Sequence, residues 1–468
     1  MSKLAATLKE AIRLSGLKDG MTVSFHHHLR GGDYVLNMVL DEIAAMGIRD
    51  LTVNASSIHD SHAPIVEHIR QGVVTGLETD YIGPAVGEAI SRGILGKPVV
   101  FRTHGGRPAD IEKGVSHIDV AFIAAPTSDD RGNCTGVIGK SACGSLGYAF
   151  ADAAHADRVI VITDNLVPYP LQIRSISEIY VDYVVQVESI GDPAKIVSGT
   201  TRLPRDPIML RIADLAARAI EASGFLKEGF SFQTGAGGAS LATAASLREI
   251  MRKKSIRGSY ALGGITGYIV DMLHEGYFTC IQDVQCFDLA AVESLRNDAE
   301  HFEITGSEYA SPDARSSAAS NLDIVVLGAA EIDTGFNVNV HTDSSGRIIG
   351  GSGGHSDVAE CAKLTVVAAP LSRARMSIVV DQVGCVSTPG RYVDLLVTQA
   401  GIAVNPLRPE LAECLRSARL PVVEIHTLME KAERLNGRAE KAAHTDRVVA
   451  RVLDRRGNEI DRIYQVLA

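Results

Sequence analysis

No apolar run in the 468 residues approaches the roughly 20 needed to span a bilayer, so a helical membrane protein is not expected. No two cysteines form a C-x-x-C pair, and their number, seven, is odd. A disulfide framework or a structural zinc site is therefore not expected, and a reducing compartment fits. There is no basic excess: 46 Lys and Arg stand against 56 Asp and Glu, for a net charge of −10. That argues against a general nucleic-acid-binding surface. The phosphate loop G-x-x-x-x-G-K-[ST], a dinucleotide fingerprint and the nucleophile elbow G-x-S-x-G are all missing. The opening MSKLAATLKEAIRLSGLKDG has charges at helical spacing and no apolar signal core, so a cytoplasmic location is expected.

What is present begins with length. A chain of 468 residues exceeds the roughly 250–300 residues one core serves, so two domains are expected. The chain also contains itself twice. LKDGMTVSF from Leu17 matches LKEGFSFQT from Leu226, and IDVAFIAAP from Ile118 matches LDIVVLGAA from Leu322. ADRVIVIT from Ala156 pairs with AKLTVVAA from Ala362, and YVDYVV from Tyr180 with YVDLLV from Tyr392. All four pairs run in one order at an offset of roughly 210 residues, which points to duplication of a domain. The expected halves are residues 1–224 and 225–468.

Within each half, short Val- and Ile-rich runs alternate with amphipathic stretches. LTVNAS from Leu51, PVVFRT from Pro98 and RVIVIT from Arg158 read as buried strands. YVLNMVLDEIAAMG from Tyr34 and DPIMLRIADLAARAIEAS from Asp206 read as helices. The expected class is α/β, with mostly parallel sheets and flanking helices. RVVARVLDRRGNEIDRIYQV from Arg447 alternates around Gly-Asn and reads as a hairpin closing the second domain.

Several loops at predicted strand ends have the composition of a ligand cleft. Gln233-Thr-Gly235-Ala-Gly237-Gly238 suits a phosphate, a carboxylate or an oxyanion, because glycines let backbone N–H groups come close and a helix N-terminus adds positive potential. In the first half the equivalent loop carries His26, His27, His28 and Arg30. Consecutive histidines in extended chain alternate faces and cannot share one metal, so no metal is expected. Beside Arg30 they are candidates for charge-assisted binding of a carboxylate-rich substrate. Gly263 to Gly267 and Gly350 to Gly354 are further Gly-rich turns, the latter leading into His355 and Asp357. Glu331 follows a predicted strand. Cys143 is a weak nucleophile candidate, with no partner defined.

These segments carry a resemblance. AAEIDTGFNVNV (329–340), GGSGGHSDVAECAK (350–363) and PGRYVDLLVTQAGIAVNP (389–406) follow the order of coenzyme A-transferase/acetyl-CoA hydrolase domains. With FHHHLRGGD and GGITGYIVDMLHEGYF, nearly the whole chain is similar to the alpha-subunit family of citrate lyases. The resemblance implies two tandem, internally homologous domains of the CoA-transferase, ribose-phosphate-isomerase-like fold with the active site between them. It implies a transferase that exchanges acetate for citrate on a thioester. The thioester arm, a phosphoribosyl-dephospho-CoA, would be carried by the gamma subunit, an acyl carrier protein; this chain would bind no cofactor of its own. The beta subunit would cleave the citryl thioester, and the whole would be an oligomer.

Many CoA-transferases have a nucleophilic Glu after a Gly-Ile-His-Thr-like turn; here that position is identified with Gly267. Direct attack of a citrate carboxylate through a mixed anhydride is therefore expected. Gly264, Thr266, Gly267, Gly353 and Gly354 are the candidate oxyanion donors. Gln233, Gly235, Gly237, Gly238, Gly351, Ser352 and His355 are candidates for the arm. Glu331 either orders a loop or stands in as nucleophile. The alternatives are a transferase for another acid using free acyl-CoA and a glutamyl thioester, an acyl-CoA hydrolase, or a non-catalytic binding module.

Overall fold

The computed structural model describes residues 3–197, 203–235, 237–438 and 442–467. In the first half the main strands are β1 (Leu4–Ala5), β2 (Thr22–Phe25), β3 (Leu51–Ala55), β4 (Val74–Thr79), β5 (Val99–Phe101), β6 (Val120–Ala124), β7 (Arg158–Thr163) and β8 (Tyr183–Gln186). In the second half they are β9 (Phe232–Thr234), β10 (Gly258–Ile265), β11 (Phe278–Cys286), β12 (His301–Glu303), β13 (Ile324–Leu327), β14 (Leu364–Ala368), β15 (Leu395–Thr398) and β16 (Gly401–Val404). The terminal hairpin is β17 (His444–Leu453) and β18 (Glu459–Val466).

The first sheet runs β1-β8-β7-β6-β2-β3-β4-β5-β17-β18, and the second runs β12-β11-β10-β9-β13-β14-β15-β16. Pairing is parallel throughout both, except between β15 and β16 and within the hairpin. Strands covered on both faces by helices need apolar side chains on both, and β6, β13 and β14 are buried at every residue. The repeat is structural. β2, β6, β7 and β8 hold the same relative places as their sequence mates β9, β13, β14 and β15.

The helices follow the patterns that predicted them. Val35–Ala45 buries Val35, Leu36, Val39, Leu40 and Ile43 as one face. Pro207–Ala222 starts at Asp206, whose carboxylate accepts from Ile208 N at 2.9 Å, with Pro207 in the first turn. One apolar cluster runs through both halves, taking in Val23, Val53 and Phe122 as well as Phe232, Ile281 and Ile324.

The hairpin forms where expected, but it does not extend the second sheet. β17 pairs in parallel with β5, Ala450 opposite Val99 and Val452 opposite Phe101. The physical reason is the open edge of β5, whose backbone groups need partners. From the hairpin's turn, Arg455 reaches back to the second half and donates to the Ala310 carbonyl at 2.7 Å. The last segment of the chain thus straps the two halves together.

Candidate active site

Ligand sites in parallel sheets gather beyond the carboxyl ends of the strands. There, β2 delivers His26–His28 and Arg30, β3 delivers Ser56 and His59, β4 delivers Asp80 and Tyr81, and β5 delivers Thr103 and His104. The second half contributes Gln285 from β11 and Phe287 just after it.

The three consecutive histidines form a wall. His27 accepts from Ser56 Oγ at Nδ1 (2.6 Å) and donates from Nε2 to Gln285 Oε1 (3.1 Å); Gln285 Nε2 donates back to the His27 carbonyl at 2.9 Å. His26 accepts from Ala124 N at 2.9 Å and meets the His28 ring, while His28 accepts from Tyr148 N at 3.3 Å. Burial pushes the His26 imidazole down to about 4, and burial first, then the neighbouring basic groups, holds His27 and His28 well below their ordinary value. The expectation of charge-assisted substrate binding by these three is therefore corrected. They are neutral near pH 7, and protein groups already take up their ring nitrogens.

Arg30 has the opposite character. Its backbone is left-handed (φ 49°) and its guanidinium lies 4.4 Å over the Phe287 ring. Nη1 is buried without a hydrogen-bond partner, and among the described ion pairs no carboxylate faces the group. Desolvation is the main influence on its charge. His59, pushed down to about 3 by burial, sits beside it as a neutral ring, 5.4 Å from Tyr81.

The glycine-rich 350–354 loop closes the cleft from the second half. Gly351 lies so close to the first half that a Cβ there would stand 2.2 Å from the Asp80 carbonyl oxygen. Gly353 (φ 50°) donates to that same oxygen at 3.1 Å and accepts from His104 N at 2.9 Å. Asp357, in the following helix His355–Cys361, accepts from Thr103 Oγ1 at 2.6 Å and Gly105 N at 3.0 Å. Burial raises its carboxyl to about 6.

Two candidate oxyanion donors are already occupied. Gly353 N is bonded to Asp80, and Gly267 N donates to Asp288 at 2.7 Å, because a first-turn N–H of the helix Gly267–His274 needs a cap. The Thr266 hydroxyl, by contrast, is buried without a partner. Gly264 lies in β10, where a Cβ would overlap the Phe287 ring at 2.1 Å. Gly354 precedes the helix His355–Cys361, facing the Tyr309 hydroxyl.

The candidates for the carrier arm divide in the same way. His355 is corrected to an anchor, since Nδ1 is bonded to Thr388 Oγ1 at 2.8 Å and Nε2 to the Gly328 carbonyl at 2.9 Å. Gln233 donates to the Tyr309 hydroxyl at 2.9 Å and leaves Oε1 buried without a partner. Gly235 N is bonded to the Val326 carbonyl at 2.8 Å, and Gly237 and Gly238, both at positive φ, lead into the helix Gly238–Lys254. Position 236 lies outside the described residues. Ser352 pairs with Ser356 at 2.7 Å.

Glu331 belongs to another place. It accepts from Asn339 at 2.9 Å and Gly384 N at 3.1 Å, tying strand to loop. It lines a cavity of about 520 Å³ against the hairpin, whose walls include Asp461 and Tyr464 and none of the strand-end histidines. Cys143 is fully buried and its thiol is pushed up, so it is no nucleophile. Metal-ligand atoms of His117, Asp119 and Asp157 approach within 4.8 Å of one another, but at the opposite, amino ends of β6 and β7.

Comparison with known proteins decides what this cleft belongs to. Residues 1–466 match the family model described as citrate lyase, alpha subunit. The chain belongs to the citrate lyase alpha-subunit family. The citrate lyase alpha chain of Escherichia coli is 50% identical over 464 residues, 99% of this chain and 91% of that one. The one from Haemophilus influenzae is 48% identical, over 99% and 93%. A crystal structure from Streptococcus mutans, described as the alpha subunit of citrate lyase in complex with citrate, superposes with a TM-score of 0.98 at 49% identity, covering 100% of this chain and 92% of that one. A Pseudomonas malonate decarboxylase hetero-tetramer shares the fold alone, at TM-score 0.69 and 16% identity.

As a member of the citrate lyase alpha-subunit family, the chain is an enzyme of the CoA-transferase type and one subunit of a larger assembly. Its activity is acyl exchange on a carrier thioester, with citrate as the acid. No helix among the described residues is long and apolar enough to cross a membrane. Asp80, His104, Gln285 and Phe287 were not singled out in the sequence. They stand at the ends of three strands, Asp80 after β4, His104 after β5 and Gln285 and Phe287 at the end of β11, with no shared local motif to mark them.

Proposed function

We propose that Arg30 holds a carboxylate of citrate at the strand ends while another citrate carboxylate attacks an acetyl thioester. Attack expels the thiolate and forms a mixed acetyl–citryl anhydride. The thiolate then attacks the citryl carbonyl, giving citryl thioester and acetate. The observation that carries this reading is the half-buried Arg30 guanidinium, held over Phe287 with its Nη1 buried and unpartnered. A cation held dry and unpaired stabilises an incoming anion more than a solvated one does.

Each step passes through a tetrahedral oxyanion that needs fixed donors. The Thr266 hydroxyl, with the backbone N–H groups of Gly264 and Gly354, is the set of candidates that remains once Gly267 and Gly353 are set aside. The seam where Gly351 meets Asp80 excludes water from the anhydride. The loop at Gln233–Gly238, with Gly351 and Ser352, takes the phosphoribosyl-dephospho-CoA arm of the carrier. The partners are the beta (lyase) and gamma (carrier) subunits in an oligomer, and seven free thiols suit a cytoplasmic location.

The test is to incubate the chain with acetyl-CoA and a panel of carboxylic acids and to follow thioesters by mass spectrometry. A citryl-CoA peak that requires citrate, and that Glu331→Ala still produces, supports the reading. A peak with another acid alone changes the substrate. Acetyl-CoA loss without a new thioester makes the chain a hydrolase, and loss of exchange with capture of acyl on Glu331 makes the route covalent.

A further inference from the structure

The reading above leaves the Asp80–His104 pair without a task, although both halves of the molecule hold it in place. His104 Nδ1 donates to Asp80 Oδ2 at 2.8 Å, and the Asp80 side chain is fully buried with Oδ1 unpartnered. The residues on either side of His104 are clamped by Asp357, and its own N–H by Gly353. The ring lies 4.4 Å from Tyr148 and 5.5 Å from His27.

That leaves Nε2. It has no hydrogen-bond partner among the described residues, and it is the atom nearest to where a Gly353 Cβ would stand, at 3.1 Å. The imidazole therefore points along the glycine-rich loop at 350–354, which closes the cleft. His26, His27 and His28 cannot do the same, because their ring nitrogens are engaged within the protein.

The exchange has a problem that such a group solves. The leaving sulfur departs as a thiolate, and a dry cleft solvates that charge poorly. It must then become a nucleophile again for the second step. We propose that His104, oriented by Asp80, is the acid–base residue for the carrier sulfur. As the C–S bond of the acetyl thioester breaks and the citrate oxygen bonds to the acetyl carbon, Nε2–H passes its proton to the sulfur. This leaves neutral imidazole, free thiol and anhydride. In the second step Nε2 takes the proton back as sulfur bonds to the citryl carbonyl carbon and acetate leaves with the electron pair of the C–O bond. The proton is returned, so the cycle consumes none.

Burial raises the Asp80 carboxyl above its ordinary range, which suits a pair that shares a mobile proton. Around it, Arg107 and Arg102 face Asp80, Asp357 faces His104 across the loop, and His27, His28 and Tyr148 line the ring.

The proposal rests on the anhydride reading, and its test separates the two. Exchange with citrate is measured for two acetyl thioesters, acetyl-CoA and the acetyl ester of an acidic aryl thiol that leaves without a proton. His104→Asn and His104→Gln should lower kcat with acetyl-CoA by about 10²–10⁴-fold, the range of general acid–base catalysis. With the aryl thioester kcat should stay within a few-fold of wild type, and the KM for citrate should not change with either. Asp80→Asn should show the same selectivity more weakly. Equal losses with both thioesters, or a raised KM for citrate in place of a lowered kcat, would overturn the role. A wild-type chain that makes no citryl thioester from acetyl-CoA would overturn the exchange reading, and this one with it.

Discussion

At the scale of single residues, the cleft sets the Arg30 guanidinium, with no ion-pair partner among the described residues, beside the neutral rings of His26–His28 and His59. Arg30→Met removes the cation but keeps a stem that packs on Phe287. The left-handed backbone at position 30 is paid for by Arg and Met alike, so it does not confound the comparison. A buried charge-assisted hydrogen bond is worth about 1.5–3 kcal/mol. The KM for citrate should rise roughly 10–100-fold with the KM for acetyl-CoA unchanged, and steady-state kinetics in both substrates checks this. Equal changes in both KM values would place Arg30 outside the citrate subsite. His26–His28 and Arg30 were legible in the sequence as residues at a strand end. The neutrality of the three histidines was not, because it comes from burial beneath elements that only the sheet order brings together.

At the scale of elements, the duplicated strands were the most legible feature. Apolar runs such as RVIVIT and LTVVA match between halves and take equivalent places in the two sheets. The hairpin was legible as a hairpin through its Gly-Asn turn, but its docking was not. Alternation tells which face of a strand is buried, not which distant edge it will join. Removing residues from 443 onward leaves β5 with an open edge and frees the segment that leads to His104. The truncated chain should aggregate and lose exchange activity, and size-exclusion chromatography with the thioester assay checks both. A monodisperse, active truncation would show the hairpin to be dispensable.

At the scale of the molecule, buried neutral histidines couple stability to pH. Burial holds His26 and His355 at about 4 and His59 and His341 at about 3. Each titrates near 6.5 once unfolded, so below that pH the unfolded chain binds protons that the native one does not. Stability is complete above pH 6.5 and declines toward pH 4, by up to about 1.4 kcal/mol per pH unit for each group. Asp357, raised to about 6, works in the other direction, as do Asp80, Asp110, Glu303 and Asp394, whose carboxyls burial also raises; each gains stability as pH falls, but among the described residues these five stand against six lowered histidines, His27 and His28 included. Urea midpoints should hold from pH 7.5 to about 6.5 and fall from there to 5; a flat profile would mean that these rings titrate normally.

The strap formed by the hairpin also has a consequence in time. β5 ends at Phe101 and its partner β17 begins at His444, so a ribosome adds roughly 340 residues between the two. At about 5–20 residues per second that interval is on the order of tens of seconds. Throughout it the first sheet presents an unpaired parallel edge and the loop carrying His104 lacks its neighbouring strand; for most of it that loop also lacks the Gly353–Asp357 clamp, which has yet to emerge. A nascent chain can therefore bury its first core early, yet catalytic geometry waits for nearly the last residues to emerge.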